Sequence, residues 1–388
     1  MHGSQHRILT THTGSLPRPR SLLDLLIRQE RGEAIDQGAF DRQVEEAVKG
    51  VIGKQLAAGI DIGNDGEQPR PSFAGYVTQR MTGFGGEATR PPWRDFVDFP
   101  DFAELWQQRM AHQTTAAVLT TPQAVAEVEY INLAAAEQEC DLFVRCAKAF
   151  PQQFTERFMT AVSPGMVATY LLNAYYDSHE NYVSALAKQL KKEYELIHAK
   201  GLLLQIDAPD LACDHAWFFQ HLSLREFQKI VEANVAAINL AIENIPAECV
   251  RLHVCWANID SPHVNDVPLA EILPILYQTK VGALSIELAN PRHQHEYTVF
   301  MQYPLPDSML LIPGVIDPKT TYVEHPQVVA NRISQAVDAV GDRSRIIAGV
   351  DCGFSTVAGY EMIAESVVWA KLRTLREGAD LASAQLWG

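Results

Sequence analysis

Apolar, strand-like runs alternate with amphipathic stretches of helical period along this chain, and that alternation is its main structural signal. The strand candidates are 7–13, 59–64, 158–162, 202–207, 250–256, 283–288, 309–316 and 345–351. Helical patterns fill the gaps, as at 182–199, 224–245, 326–340 and 360–377. Eight strands with intervening helices predict an α/β fold, a (β/α)8 TIM barrel. No low-complexity segment, linker or short repeat interrupts the pattern, so 1–388 reads as a single barrel domain. Residues 80–149, after the second strand, exceed what one βα unit needs. They read as an insertion with extra helices, either covering the barrel mouth or making a contact in a homo-oligomer.

A barrel places its functional residues where strands end. Here those ends read Thr13-Gly14-Ser15, Asn64-Asp65-Gly66-Glu67, Ser163-Pro164-Gly165, Asp207, His253 with Cys255, Glu287, Asp317-Pro318-Lys319 and Asp351-Cys352-Gly353. Eight polar or small ends in phase are hard to explain by core packing. His253 and Cys255 stand at i and i+2 of one strand, so both point to one face. A strand packed nearby brings Cys352 to them. Zinc takes this ligand set, and three protein ligands leave a fourth position open for substrate. The alternative for each ligand is a satisfied core His or an inert core Cys.

Composition narrows the function classes. The chain has 388 residues, 47% of them apolar, and a formal net charge of −15. That charge argues against a general nucleic-acid or anionic-membrane surface. No apolar run reaches the roughly 18 residues of a membrane span, and the N-terminal segment has no apolar signal-like core. The six cysteines are sparse and scattered, which predicts a reducing, cytoplasmic location without a disulfide framework. Cys140, Cys146, Cys213 and Cys249 are read as structural.

The segments TTHTGSLPRP, IDIGNDGEQPR, LQIDAPDLA, HVCWAN, IELAN, PGVIDPKTTYVEHP and AGVDCGF together resemble the catalytic half of cobalamin-independent methionine synthase. Shorter single-barrel relatives share the resemblance, including epoxyalkane:coenzyme M transferase. It implies a barrel of the uroporphyrinogen-decarboxylase and methionine-synthase type with catalytic Zn2+ on His253, Cys255 and Cys352, and Glu287 where that family supplies a carboxylate ligand. It places the amino-acid part of homocysteine on Thr13, Gly14, Ser15, Glu67 and Asp207. Lys319 stands where the methionine synthases carry a His, after Asp317. Asp207-Ala208-Pro209 replaces a usual Asp-Glu-Pro. Lys319 thus takes the place of that family's proposed acid, and Lys319 and Asp317 are the candidate catalytic residues.

The implied chemistry is thiol activation. A free thiol has a pKa near 8.5, and only the thiolate is a good nucleophile. Two donor classes follow: methylfolate, whose leaving nitrogen needs an acid, and an epoxide, whose nascent alkoxide an ammonium can protonate. Lys319 serves the first only if its pKa is depressed. Two acids, Glu67 and Asp207, suit the ammonium of homocysteine. Arg18, Arg70 or Lys319 would instead suit mercaptoethanesulfonate. Methyl transfer to homocysteine is the preferred reading and epoxide opening the alternative. A zinc-binding barrel without turnover and a uroporphyrinogen-decarboxylase-like barrel are further readings. Glu287, in an apolar strand, is a metal contact by preference or half of an ion pair. Asp351 is a candidate acceptor for His253, Trp256 a site wall or a core aromatic, and His263, His293, His295 and His325 surface or loop histidines.

Overall fold

A computed structural model describes residues 1–111 and 120–388. Eight parallel strands run in the order β1 (Leu9–Thr10), β10 (Ile347–Val350), β9 (Leu310–Ile316), β8 (Ala283–Ile286), β7 (Val250–Val254), β6 (Leu203–Asp207), β5 (Glu156–Val162) and β2 (Ile62–Gly63). A parallel bridge from Thr11 to Ile62 joins the first strand to the last, so the sheet curls into a (β/α)8 barrel. Each strand coincides with a sequence candidate. Cys255 is a refinement, since β7 stops at Val254 and the cysteine opens the following loop.

The helices begin and end on local chemistry. Ser223 and Glu226 form a reciprocal cap at the start of Leu224–Ala241, which satisfies two otherwise unpaired N–H groups. Pro326 opens Pro326–Val340, and Gly341 closes it with φ at +80°. The last helix is Glu365–Trp387, starting later and running further than its pattern predicted. Gly378 does not break it, because there the helix lies tightly on Val329 of Pro326–Val340 and a side chain has no room.

Strand register stacks the barrel interior in layers. Phe158 is level with Leu203, and with Leu9, Ile62, Ala283, Ile312 and Ile347 it forms an apolar plug. One pleat up, Thr160, Gln205 and Arg251 are level with one another. One further pleat up, Asp207 is level with His253. Period-two alternation thus carries the interior from apolar to polar to functional toward the C-terminal ends of the strands.

The long segment after β2 does two things. An antiparallel hairpin, β3 (Met81–Thr89) with β4 (Thr120–Tyr130), and the short helices Arg94–Asp98 and Pro100–Met110 leave the barrel. Its last part, helix Leu133–Lys148, instead packs against Gln37–Ala57 and His179–Ala199 as part of the outer ring. Residues 112–119 of the predicted insertion lie outside the described residues. Asp95 accepts hydrogen bonds from Ser261 Oγ at 2.9 Å and the His263 N–H at 2.7 Å. Trp93 stacks on Trp217 with ring centroids 4.1 Å apart. The extra helices therefore cover the loops after β6 and β7, at the barrel mouth. Among the described residues no helix is long and apolar enough to cross a membrane.

Candidate functional site

His253, Cys255 and Cys352 offer one ligand atom each, and these atoms lie within 4.8 Å of one another, all buried. The two sulfurs are 3.8 Å apart. Both ring nitrogens of His253 are buried without a hydrogen-bond partner. A buried imidazole without partners is costly in a closed protein. The unpaired nitrogen beside two thiols is the donor set that suits zinc. The Cys352 thiol hydrogen-bonds to Cys255, and this, with His253 alongside, holds the Cys255 thiol well below its ordinary range. Burial opposes charge on His253, but Cys255 beside it raises its pKa on balance.

Glu287 is not in this cluster. Its Oε2 accepts the Trp256 N–H at 2.8 Å, and its Oε1 accepts Asn290 Nδ2 at 2.7 Å and the Lys319 ammonium. The ion-pair alternative raised for this residue is the arrangement present. Burial disfavours charge on Lys319, yet Glu287 raises its pKa well above the usual value. That is opposite to the depression an acid working at neutral pH requires. Asp317 lies next to it, with Oδ1 accepting the Lys319 N–H at 2.9 Å, and burial raises its carboxyl pKa.

The substrate candidates converge beside the cluster. Asn64 Oδ1 and Asp65 Oδ1 accept the N–H groups of Gly66 and Glu67, two consecutive side-chain turns that bend the loop after β2. Glu67 itself has φ at +54°, a strained setting for a non-glycine residue. Its Oε1 accepts Thr160 Oγ1 at 3.0 Å, while Oε2 is buried without a partner. Burial raises the pKa of Glu67. Burial and the nearby Glu67 push Asp207 up to about 7. Thr13 Oγ1 donates to Val350 O at 2.9 Å, and Ser15 Oγ accepts the Ser355 N–H, tying this loop to the segment around Cys352. Gly14 has φ at +147°, and a Cβ there would stand 2.6 Å from both Glu67 Oε1 and Thr160 Cγ2. Only glycine fits.

The three cations considered for a sulfonate are all engaged. Arg18 donates to Ser355 O at 2.7 Å and Glu67 O at 2.8 Å. Arg70 holds Glu139 at 3.0 Å and Thr160 O at 2.9 Å. Lys319 holds Glu287.

Other expectations are corrected. Asp351 does not reach His253; its carboxylate accepts the N–H groups of Leu288, Ala289 and Asn290 at 2.7–2.9 Å. It ties the end of β10 to the loop after β8. His263 and His293 lie in loops, as expected, but are buried rather than at the surface, and both bond Asp266 at 2.9 Å. Trp256 is fully buried and stacked on His293 at 3.9 Å. His325 caps a helix, and His295 is exposed. All six cysteines are free thiols, and Cys140, Cys146, Cys213 and Cys249 lie outside the cluster.

A polar layer below the site was missed. Arg251 donates to Gln205 Oε1 at 2.6 Å, Thr11 Oγ1 at 3.0 Å and His12 O at 2.6 Å, and lies 3.8 Å from the centre of the Phe158 ring. Gln205 Nε2 passes the contact to Asp207 Oδ1 at 2.6 Å and to Thr13 O. The signal was present: Arg251 and Gln205 stand two residues before His253 and Asp207, polar on the inward face.

No protein-family model matches the chain. Among curated proteins it is similar to methionine synthase of Sulfurisphaera tokodaii, 24% identical over 382 residues covering 97% of this chain and 93% of that protein. It is equally similar to 2-hydroxypropyl-CoM lyase of Xanthobacter autotrophicus, 25% identical over 419 residues covering 99% and 97%. Among solved structures, a B12-independent methionine synthase from Shewanella sp. W3-18-1 in complex with selenomethionine superposes with TM-score 0.71 at 20% identity, covering 98% of this chain and 99% of that one. A putative vitamin-B12-independent methionine synthase from Listeria monocytogenes gives 0.65 at 18% identity, with the same coverage. Over nearly its whole length, then, this chain is similar to methionine synthases and to 2-hydroxypropyl-CoM lyase, and it shares the barrel fold of the B12-independent methionine synthase structures.

Proposed function

We propose that this protein is a zinc-dependent thiol S-alkyltransferase that transfers a methyl group to homocysteine, giving methionine. The observation that carries the reading is the buried His253, Cys255 and Cys352 trio with both imidazole nitrogens unpaired. These three residues would hold zinc, which deprotonates a coordinating thiol and leaves it nucleophilic at neutral pH. The sulfur–methyl bond forms as the bond from methyl to the donor's nitrogen breaks; the thiol proton leaves to solvent and the donor nitrogen takes one from an acid. Asp317, its carboxyl raised by burial, suits that acid better than Lys319, whose ammonium Glu287 holds.

The choice of thiol rests on charge. Glu67 Oε2 has no partner, and Asp207 lies within electrostatic range of it. Two buried carboxyls are matched by an ammonium, which homocysteine carries and mercaptoethanesulfonate lacks. The backbone of Thr13-Gly14-Ser15 is the corresponding place for the amino-acid carboxylate. Epoxide opening is the second reading, favoured by the similarity to 2-hydroxypropyl-CoM lyase.

Isothermal titration of the zinc-loaded protein with each thiol, in two buffers of different ionisation enthalpy, tests this. Homocysteine is expected to bind with release of a proton. Binding of mercaptoethanesulfonate alone would transfer the assignment to the epoxide class. Absence of proton release with either would remove thiol activation.

A further inference from the structure

Glu287 is held in place from three barrel loops. The Trp256 N–H comes from the loop after β7, Asn290 Nδ2 from the loop after β8, and the Lys319 ammonium from the loop after β9. Each donor is itself fixed. Asn290 also donates to Asp351, from its N–H at 2.9 Å and its Nδ2 at 3.1 Å. Lys319 is anchored through its N–H on Asp317 Oδ1 at 2.9 Å, and its Nζ also faces Ala257 O at 3.4 Å. Ala257 presents that carbonyl from a left-handed backbone turn, with φ at +79°. The side chains of Lys319 and Glu287 are 7% and 0% exposed. A carboxylate leaving this pair would strand a buried ammonium, which is strongly unfavourable.

Charge balance points the same way. Two thiolates neutralise a divalent cation, while Glu287 and Lys319 neutralise each other separately. We propose that Lys319 is a positioning residue that holds Glu287 off the metal, so that the resident centre has three protein ligands and an incoming thiol enters without displacing a carboxylate. The inference rests on the metal reading above and departs from the expectation that Glu287 is itself a ligand.

The test loads the full chain with cobalt(II) as a spectroscopic probe, and with zinc for X-ray absorption. It compares the natural protein with K319M, the isosteric neutral pair K319M/E287Q, and C352A. The double variant removes both charges of this pair and leaves neither stranded, and so controls for folding. K319M alone is expected to shift the cobalt d–d bands and add an oxygen ligand to the zinc shell, with thiol binding roughly tenfold weaker. K319M/E287Q is expected to restore the spectrum of the natural protein. A spectrum of K319M/E287Q unlike the natural one would show Glu287 already bound to the metal and overturn the proposal. So would a K319M spectrum identical to it. If the natural protein takes up no cobalt, or C352A takes it up equally, the metal reading itself falls and carries this inference with it.

Discussion

His12 is held neutral, and lowering the pH should cost stability through it by a calculable amount. Gln55 fixes the tautomer. Its Nε2 donates to Val51 O at 3.2 Å and Asn64 O at 2.8 Å, so its Oε1, 2.8 Å from His12 Nε2, must accept. His12 Nδ1 is then a bare lone pair, and it accepts the Gly14 N–H at 3.2 Å. A second proton would break that bond. Burial, with the Arg251 cation nearby, lowers the His12 pKa from 6.5 to about 4. Between those values the unfolded chain binds a proton that the folded chain refuses. The stability contribution is therefore complete above pH 6.5 and declines as pH falls toward 4. At pH 5 the loss covers about 1.5 pH units at about 1.4 kcal/mol each, roughly 2 kcal/mol. Asn at this position offers Gly14 an acceptor but does not titrate. Urea unfolding of the natural protein and His12→Asn between pH 7.5 and 5 measures the difference. The gap between them should narrow by about 2 kcal/mol on acidification. Parallel profiles would refute the tautomer assignment.

Cys352→Ala and His253→Ala should each lose zinc on dialysis together with activity; an active, zinc-free variant, found by elemental analysis beside a methyl-transfer assay, would sink the metal reading. Glu67→Gln removes one charge-assisted contact to the ammonium, about 1.5–3 kcal/mol, and should raise KM for homocysteine by roughly 10–100-fold with little effect on metal content; an unchanged KM would dissociate Glu67 from the substrate. Gly14→Ala forces a Cβ against Glu67 and Thr160 at positive φ, and strain of about 1–3 kcal/mol should appear as a lower unfolding midpoint and lost homocysteine binding in calorimetry. Gln205→Leu disconnects Asp207 from Arg251; homocysteine affinity should fall while zinc stoichiometry stays the same, and a loss of zinc would show that the layer supports the metal instead.

The barrel was legible because each strand is a short apolar run with a polar end, and each helix a 3.6-period stretch. Where the reading slipped, local pattern had been overridden by contacts. Helix Leu133–Lys148 looked like insertion but packs on the outer ring. His263 and His293 read as surface or loop residues, and they lie in loops but are buried. His263–Asp266 and His293–Glu296 are local pairs three residues apart, but Asp266 also reaches His293, 27 residues away, a contact that spacing does not reveal.

Sequence alone determined that polar strand ends gather at one mouth, because parallel strands all point one way, and that His253 faces that mouth, because the side-chain period of a strand is two. Tertiary structure decided who meets whom across that mouth. Cys352 approaches Cys255 from 97 residues away, Asp351 turns to the loop after β8 instead of His253, and Glu287 takes Lys319 as its partner. Those choices depend on how loops from different strands pack over a closed barrel. A buried charge takes the nearest well-aligned opposite charge, and only the folded chain fixes which one that is.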